Sequence, residues 1–356
     1  MRTLVYGAGP LGSLFAQQLH EAGHDVSVLA RGQRLADIRD HGIVIHNVTN
    51  DQTVTAPVRA VETLAPDDAY DLVLVVMRKN AALTILPVLG ANLHTPNVLF
   101  LMNNAAGPGA LIDALGRERV LVGFPASGGY RDGITVHCLT GTPGDKAIIP
   151  FGEVDGSVTA RAREIAAVIA STSWLGAEIR SDMDAWLKYH VALLMPSIAA
   201  ALYACGTDLQ RMARTRDAVV LAVRAVHEGF AVLRELGYPV TPGKLELYTR
   251  IPEPLMVPFL RKMLTKEHME IALAKHANAA RDEILHLTDE FLALAARTHV
   301  QTPAILELYP HFELDQPLIP DGSARIPLDW RGVWTSLAAL FAGLLALRAL
   351  TRRRRA

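Results

Sequence analysis

Arg2-Thr3-Leu4-Val5-Tyr6 runs directly into Gly7-Ala8-Gly9-Pro10-Leu11-Gly12, and this stretch decides the fold. The residues up to Tyr6 read as a short buried strand. Leu14-Phe15-Ala16 to Leu19 then takes a helical period, and His24 to Leu29 reads as a second strand. This is one β-α-β unit with a Gly-x-Gly-x-x-Gly in the turn between its first strand and its helix. Gly7 permits the tight turn, Gly9 lets the backbone approach a pyrophosphate, and Gly12 lets the helix pack on the strand. The free N–H groups of the first helical turn face the anion.

The end of the second strand reads Leu29-Ala30-Arg31-Gly32-Gln33-Arg34. An NAD-preferring site places a carboxylate there for the ribose 2′-OH, and this chain has none. Arg31 instead offers a planar fork of donors to a 2′-phosphate. The expected cofactor is NADP.

With 356 residues the chain can build two sizeable cores. Its 35 basic and 36 acidic residues nearly cancel, so nothing global points to nucleic acid. Cys138 and Cys205 make no disulfide framework and no metal-ligand spacing, and the 13 histidines form no compact ligand cluster. No metal is expected. A reducing, cytoplasmic compartment is, and the immediate first strand argues against a signal peptide.

Outward from the glycine turn, Ala36 to Arg39 look helical, and Gly42 to Ile45 and Thr53 to Ala56 read as short strands. Tyr70 to Met77 and Asn97 to Met102 are near-continuous apolar runs, the pattern of central parallel strands covered on both faces. They end in Arg78-Lys79-Asn80 and in Asn103-Asn104-Ala105-Ala106-Gly107, which places polar groups at the ligand crevice of an open α/β sheet. Leu111 to Leu115 read as helix and Val120 to Phe124 as strand. Gly128-Gly129 and Asp132-Gly133 read as turns, and Ile134 to Cys138 and Lys146 to Phe151 as strands closing the same sheet. Arg161 to Ser171 form a helix and Gly176 to Ile179 a last strand.

Beyond residue 180 strand signals stop. Ser181-Asp182 can cap a helix through Asp184, Trp186 and Lys188. Val191 to Cys205, interrupted by Pro196, reads as a buried, kinked core helix rather than a membrane span. Asp217 to Leu236, Met256 to Lys262, Glu267 to Lys275 and Ala279 to Thr298 keep a helical period, with Pro258 confining the second to its last residues. The expected organisation is α/β: a Rossmann-type doubly wound sheet over 1–180, a mostly helical substrate or dimerisation domain over 181–315, and a proline-rich connector and apolar tail over 316–356. Gly332 to Leu347 carries no charge in 16 residues, and arginines at 348 and 352–355 follow. That is short of a span of roughly 20 residues. The tail is expected to meet a membrane surface on the cytosolic side, or else to pack on the body or on a second copy in a homodimer.

These features together resemble the ketopantoate reductase family, the NADPH-dependent 2-dehydropantoate 2-reductases, over residues 1 to about 310. The resemblance rests on Gly7 to Gly12 with Arg31, on Asp71 to Met77 leading to Arg78 or Lys79 where the family delivers a lysine to the cofactor cleft, and on Asn104. It rests further on Trp186-Leu187-Lys188 and on Glu283-Ile284-Leu285 with the later Thr302-Pro303. It implies cofactor contacts from Gly7, Gly9, Gly12, Arg31, Arg78 or Lys79, and Asn104. It also implies Lys188 as proton donor, with Glu283 and Asn104 positioning a small 2-oxo acid. Ala192 and Pro196 stand where the family carries asparagines, Ala105 where it has glycine, and Lys262 to Asn278 holds no counterpart of its substrate-binding Asn and Ser. The exact substrate therefore stays open, and two alternatives remain: a cofactor-binding sensor or membrane-attached subunit, and an opine-type dehydrogenase. His190 lies off the Lys188 face and is read as structural.

Overall fold

The computed structural model describes residues 1–334; residues 335–356, and with them most of the expected tail, lie outside the described residues. The chain opens with β1 (Arg2–Tyr6), α1 (Pro10–Glu21) and β2 (Asp25–Leu29). Pro10 starts α1 at the position where its missing N–H costs nothing. Then come α2 (Gly32–His41), β3 (Ile43–Asn47), β4 (Gln52–Ala56) and β5 (Arg59–Val61). The apolar runs form β6 (Leu72–Val75) and β7 (Val98–Leu101), with α3 (Lys79–Thr84) and α4 (Leu86–Ala91) between them. After α5 (Gly109–Leu115) follow β8 (Val120–Gly123), β9 (Gly128–Asp132), β10 (Thr135–Leu139) and β11 (Ala147–Glu153). The sheet half closes with α6 (Ala160–Ala170), capped by the Thr159 hydroxyl on the Ala162 N–H, and β12 (Leu175–Ile179).

Eight strands form one sheet in the order β12-β11-β8-β7-β6-β1-β2-β5. Its pairings are parallel except β11 with β8. The order reverses at β1, which pairs β2 on one side and β6 on the other, so the glycine turn sits at the topological switch point. Both β6 and β7 are buried at every residue, which is why their sequences show no alternation.

Two expectations fail here. Gly128-Gly129 is not a turn: it begins β9, which pairs antiparallel with β10. Nor does β10 close the main sheet; it joins a separate four-stranded sheet, β4-β3-β10-β9. Alternating burial in β3 and β10 marks strands with one face inward, and their pairing partners lie some 90 residues apart, as Val136 on Ile45 does. Local sequence carries no signal of that distance.

The helical half starts with α7 (Met183–Leu193), which passes through a π-helical turn, Leu194–Ala199, into α8 (Ala200–Tyr203). Pro196 lies in that turn, where its missing donor widens the ladder without ending the helix. This continuous stretch, Met183–Tyr203, is long and apolar enough to cross a membrane, yet it is mostly buried inside the protein. Next come α9 (Leu209–Arg214), capped by Asp208, α10 (Arg216–Glu235), α11 (Glu246–Arg250) and α12 (Glu253–Leu264). Pro258 does not confine α12, because it sits on the exposed side while Met256, Val257, Leu260 and Leu264 bury the other. A second π-helical turn, Glu270–Lys275, leads into α13 (His276–Ala279), α14 (Arg281–Ala295) and α15 (Pro303–Leu308). The connector is not free: Ile319, Ile326 and Leu328 pack on the helical core, and the Asp217 carboxylate accepts from the N–H groups of Arg325 and Ile326 at 2.9 Å each.

One helix belongs to both halves. Met183 and Leu187 of α7 pack in the cluster under the sheet, whereas Tyr189, Val191 and Ala192 sit in the helical core.

A Cβ on Gly12 would lie 1.8 Å from the Gly7 carbonyl oxygen, a backbone contact that cannot rotate away. Gly12→Ala is therefore expected to cost about 3 kcal/mol, read as a lowered denaturant midpoint.

Candidate functional site

The glycine turn keeps three separate geometries. Gly7 has φ +114°, and a Cβ there would lie 2.8 Å from the Val76 carbonyl oxygen and 2.9 Å from Met77 Cγ. Gly12 closes α1 onto the turn. Gly9 is different: nothing lies within 4 Å of where its Cβ would be. Glycine at 7 and 12 is thus demanded by the fold, and at 9 it leaves an open face in front of the backbone. Ser13 N–H turns back to the Gly9 carbonyl at 2.9 Å, and α1, 12 residues long, aims its first-turn N–H groups at that opening.

Arg31 is exposed at the end of β2, where its Nη2 reaches the Tyr6 hydroxyl at 3.4 Å. Arg34, which sequence reading passed over, is buried. It braces the turn from below, with Nη2 donating to Ser13 Oγ at 2.9 Å and Nε to the Ala8 carbonyl at 3.3 Å.

The mouths of β6 and β7 meet the helical half in a cluster of buried charges. Lys79 Nζ donates to Asn104 Oδ1 at 2.8 Å and stands 3.7 Å from Glu290 Oε1. The Lys79 backbone N–H donates to Glu283 Oε1 at 3.0 Å. Asn104 also clamps its own loop, accepting from Gly107 N–H and donating to the Gly107 carbonyl, both at 3.0 Å. Lys188 Nζ pairs with Asp184 one turn back on α7 and lies 4.9 Å from the Tyr238 ring centroid. It sits over the same loop, 3.2 Å from where a Gly107 Cβ would be. Gly107, at φ +89°, must stay small for two reasons. Lys79, Asn104, Lys188 and Glu283 are each no more than 3% exposed.

Burial sets the protonation of this cluster. It lowers the Lys188 ammonium below the ordinary lysine range, and Asp184 draws it part of the way back. It lowers Lys79 too, against Glu290, with Lys188 adding like-charge repulsion. Burial raises the Glu283 carboxyl, opposed by the Lys79 N–H.

The structure thus separates the two neighbours that the sequence left open. Lys79 points into the cluster. Arg78 is at the rim, 42% exposed, paired with Asp282 at 3.0 Å and with the Ala279 carbonyl. Glu283 is fixed by Lys79 and not by Lys188, and it is no part of a solvated face. His190 stacks on Trp186 and packs against Phe124, with ring centroids 5.3 and 4.2 Å away, and burial holds its pKa down to about 4. Ala192 is fully buried beside Phe291 and Gly229. With Pro196 also buried, α7 and its continuation offer no amide at either place.

Glu290 escaped the sequence reading. Its Oε2 accepts from the N–H groups of Ala105 and Ala106 at 3.1 Å each, while Oε1 faces Lys79. The available signal was spacing: Glu283 and Glu290 lie two turns apart on one face of α14.

The model of the family described as Ketopantoate reductase PanE/ApbA matches residues 3–154. The fold is that of the ketopantoate reductases. An uncharacterized oxidoreductase of Bacillus subtilis, YkpB, is 24% identical over 322 residues, covering 88% of this chain and 98% of its own. The 2-dehydropantoate 2-reductase of Geobacter metallireducens superposes with a TM-score of 0.70 at 20% identity, over 88% of this chain and 99% of that one. D-Mandelate dehydrogenase, solved with NADH and anilino(oxo)acetate, does so with 0.71 at 16%, over 88% and 97%.

The residues present fit a dinucleotide. Gly9 leaves the open face that a pyrophosphate needs, and Asn103 Oδ1, buried at the mouth of β7, has no partner among the described residues. Gly9→Ala is therefore expected to leave the melting temperature unchanged while weakening dinucleotide binding at least about ten-fold, measured by fluorescence titration. Glu290→Ala strips a counter-charge from buried Lys79 and an acceptor from two N–H groups. It is expected to cost about 3 kcal/mol in chemical denaturation, and Glu290→Gln less.

Proposed function

We propose that this chain is an NADPH-dependent reductase of a small 2-oxo acid and a member of the ketopantoate reductase family. The observation that carries the reading is the convergence of Lys79, Asn104, Lys188 and Glu283, from four separate segments, on one buried cluster at the mouths of β6 and β7. The family match over 3–154 and the fold shared with a 2-dehydropantoate 2-reductase and a D-mandelate dehydrogenase support it. Residues 1–180 hold the cofactor in this reading, and 181–315 complete the substrate side.

When bound, NADPH supplies the hydride for the carbonyl carbon. Gly7, Gly9 and Gly12 shape the turn that receives its pyrophosphate, and Arg31 offers its guanidinium to the 2′-phosphate. Lys79 holds the Asn104 amide, and the amide orients ribose or substrate. Arg78, paired to Asp282 at the rim, is assigned to closing the cleft over the cofactor. Lys188 carries the proton: its ammonium stabilises the charge developing on the 2-oxo oxygen and then transfers the proton to it. Asp184 opposes the effect of burial on that lysine. Two ammonium groups in one cleft also suit a substrate carboxylate. Glu283, raised towards its neutral form, serves as hydrogen-bond partner to a substrate hydroxyl.

The second reading, a cofactor-binding protein without turnover, draws on Ala192 and Pro196, which supply no polar group along the Lys188 helix. An opine-type dehydrogenase differs by requiring a primary amine in turnover. Purified protein is expected to oxidise NADPH with at least one of a panel of 2-oxo acids that includes 2-dehydropantoate, with no amine added. Lys188→Ala is expected to lose about 10²–10⁴-fold in kcat while keeping NADPH affinity. NADPH binding with no turnover on any acid would favour the second reading. Protonated Lys188 is the active form, so kcat falls as pH rises through its lowered pKa. The alkaline limb is expected below the ordinary lysine value of 10.5, and absent in the residual activity of Lys188→Ala.

A further inference from the structure

The described chain leaves the helical half along an edge that is apolar on its outside. Glu253 Oε1 accepts from the Asp329 N–H at 2.9 Å, and a Cβ on Gly332 would lie 3.4 Å from Pro252 Cβ at the start of α12. The segment so held exposes Trp330 and Trp334, at 52% and 65%. Helix α12 turns a matching stripe outward. Leu255 and Phe259, one turn apart, are 62% and 55% exposed, although the opposite face already fills the core. Pro258 and Lys262 share that stripe by helical spacing. At its C-terminal end an open groove is lined by Arg214, Arg261 and Lys262.

Single exposed apolar residues are ordinary, but a run of them with tryptophans at one end and cations at the other is not. Tryptophan prefers the headgroup level of a bilayer, and lysine and arginine near an apolar helix face draw anionic lipid. The sequence continues from this edge, uncharged from 335 to 347 and closed by arginines at 352–355, a composition that favours the same phase. We propose that the outward face of α12, together with Trp330 and Trp334, docks on an anionic lipid bilayer. This stands apart from the reductase reading and does not depend on it.

The full-length protein is sedimented with vesicles of phosphatidylcholine alone and of phosphatidylcholine mixed with phosphatidylserine, at low and physiological salt. Wild type is expected to bind the mixed vesicles, more tightly at low salt. Leu255→Glu with Phe259→Glu is expected to weaken partitioning about ten-fold or more at an unchanged melting temperature, and Trp330→Ser with Trp334→Ser to do so independently. Lys262→Glu should act mainly at low salt. Equal binding to neutral vesicles overturns the anionic preference. Full binding by both double variants overturns the docking face and leaves attachment to residues after 334. Wild type remaining in the supernatant overturns the proposal, and a dimer in light scattering would then assign the face to a second copy.

Discussion

The close approach of Gly12 to the Gly7 carbonyl holds the rest of the structure in place. A helix can start this near the end of β1 only if no side chain stands between them. Because β1 pairs β2 on one side and β6 on the other, that contact puts a helix N-terminus at the point where the strand order reverses. Gly7, pressed against Val76 and Met77, then fixes where the chain leaves β6. Lys79, two residues beyond Met77, is thereby brought to the cleft. The open glycine turn and the place of the buried lysine follow from these two contacts.

The second constraint is that α7 serves two cores. Its first turn packs under the sheet and its later turns in the helical half, so Lys188 is carried in the middle of a helix buried on both sides. An ammonium there loses hydration, and its pKa falls. The same burial demands a counter-charge, which Asp184 provides one turn back. Burial and pairing therefore pull this ammonium in opposite directions, with burial the larger. Pro196 sits buried in the π-helical turn, so the continuation remains a core element.

Helix α14 ties the halves together with charge. Glu283 and Glu290 reach across to the mouths of β6 and β7, where they take the N–H groups of Lys79, Ala105 and Ala106. These N–H groups lie past the strand ends and have no ladder partner of their own. Carboxyl groups from the other half satisfy them.

Local sequence was enough for the elements whose physics is local. The β-α-β unit, the fully apolar β6 and β7, the buried character of Val191 to Cys205 and the change from strands to helices near residue 180 all follow from periodicity, turn chemistry and chain length. So do Gly7 and Gly12 as separate steric requirements. The candidate site was legible in part: Lys188, Glu283 and Asn104 were named from the resemblance, while Arg78 and Lys79 could not be told apart. A one-residue difference at a strand end decides which side chain turns inward, and that depends on where Asn104 and Glu290 stand.

Tertiary structure alone decided the remainder. The second sheet pairs strands far apart in the chain, and Gly128-Gly129 becomes strand because β10 lies beside it. Helix α12 passes through Pro258 because burial of its other face outweighs one missing hydrogen bond. Glu290, Asp184 and Arg34 owe their roles to partners on other turns or other elements, and so does the burial of Glu283. By itself the sequence determined the strands and helices whose pattern is local, since those depend on neighbours along the chain. Which charges would be buried together was settled only by folding, because desolvation and pairing are properties of distance in space.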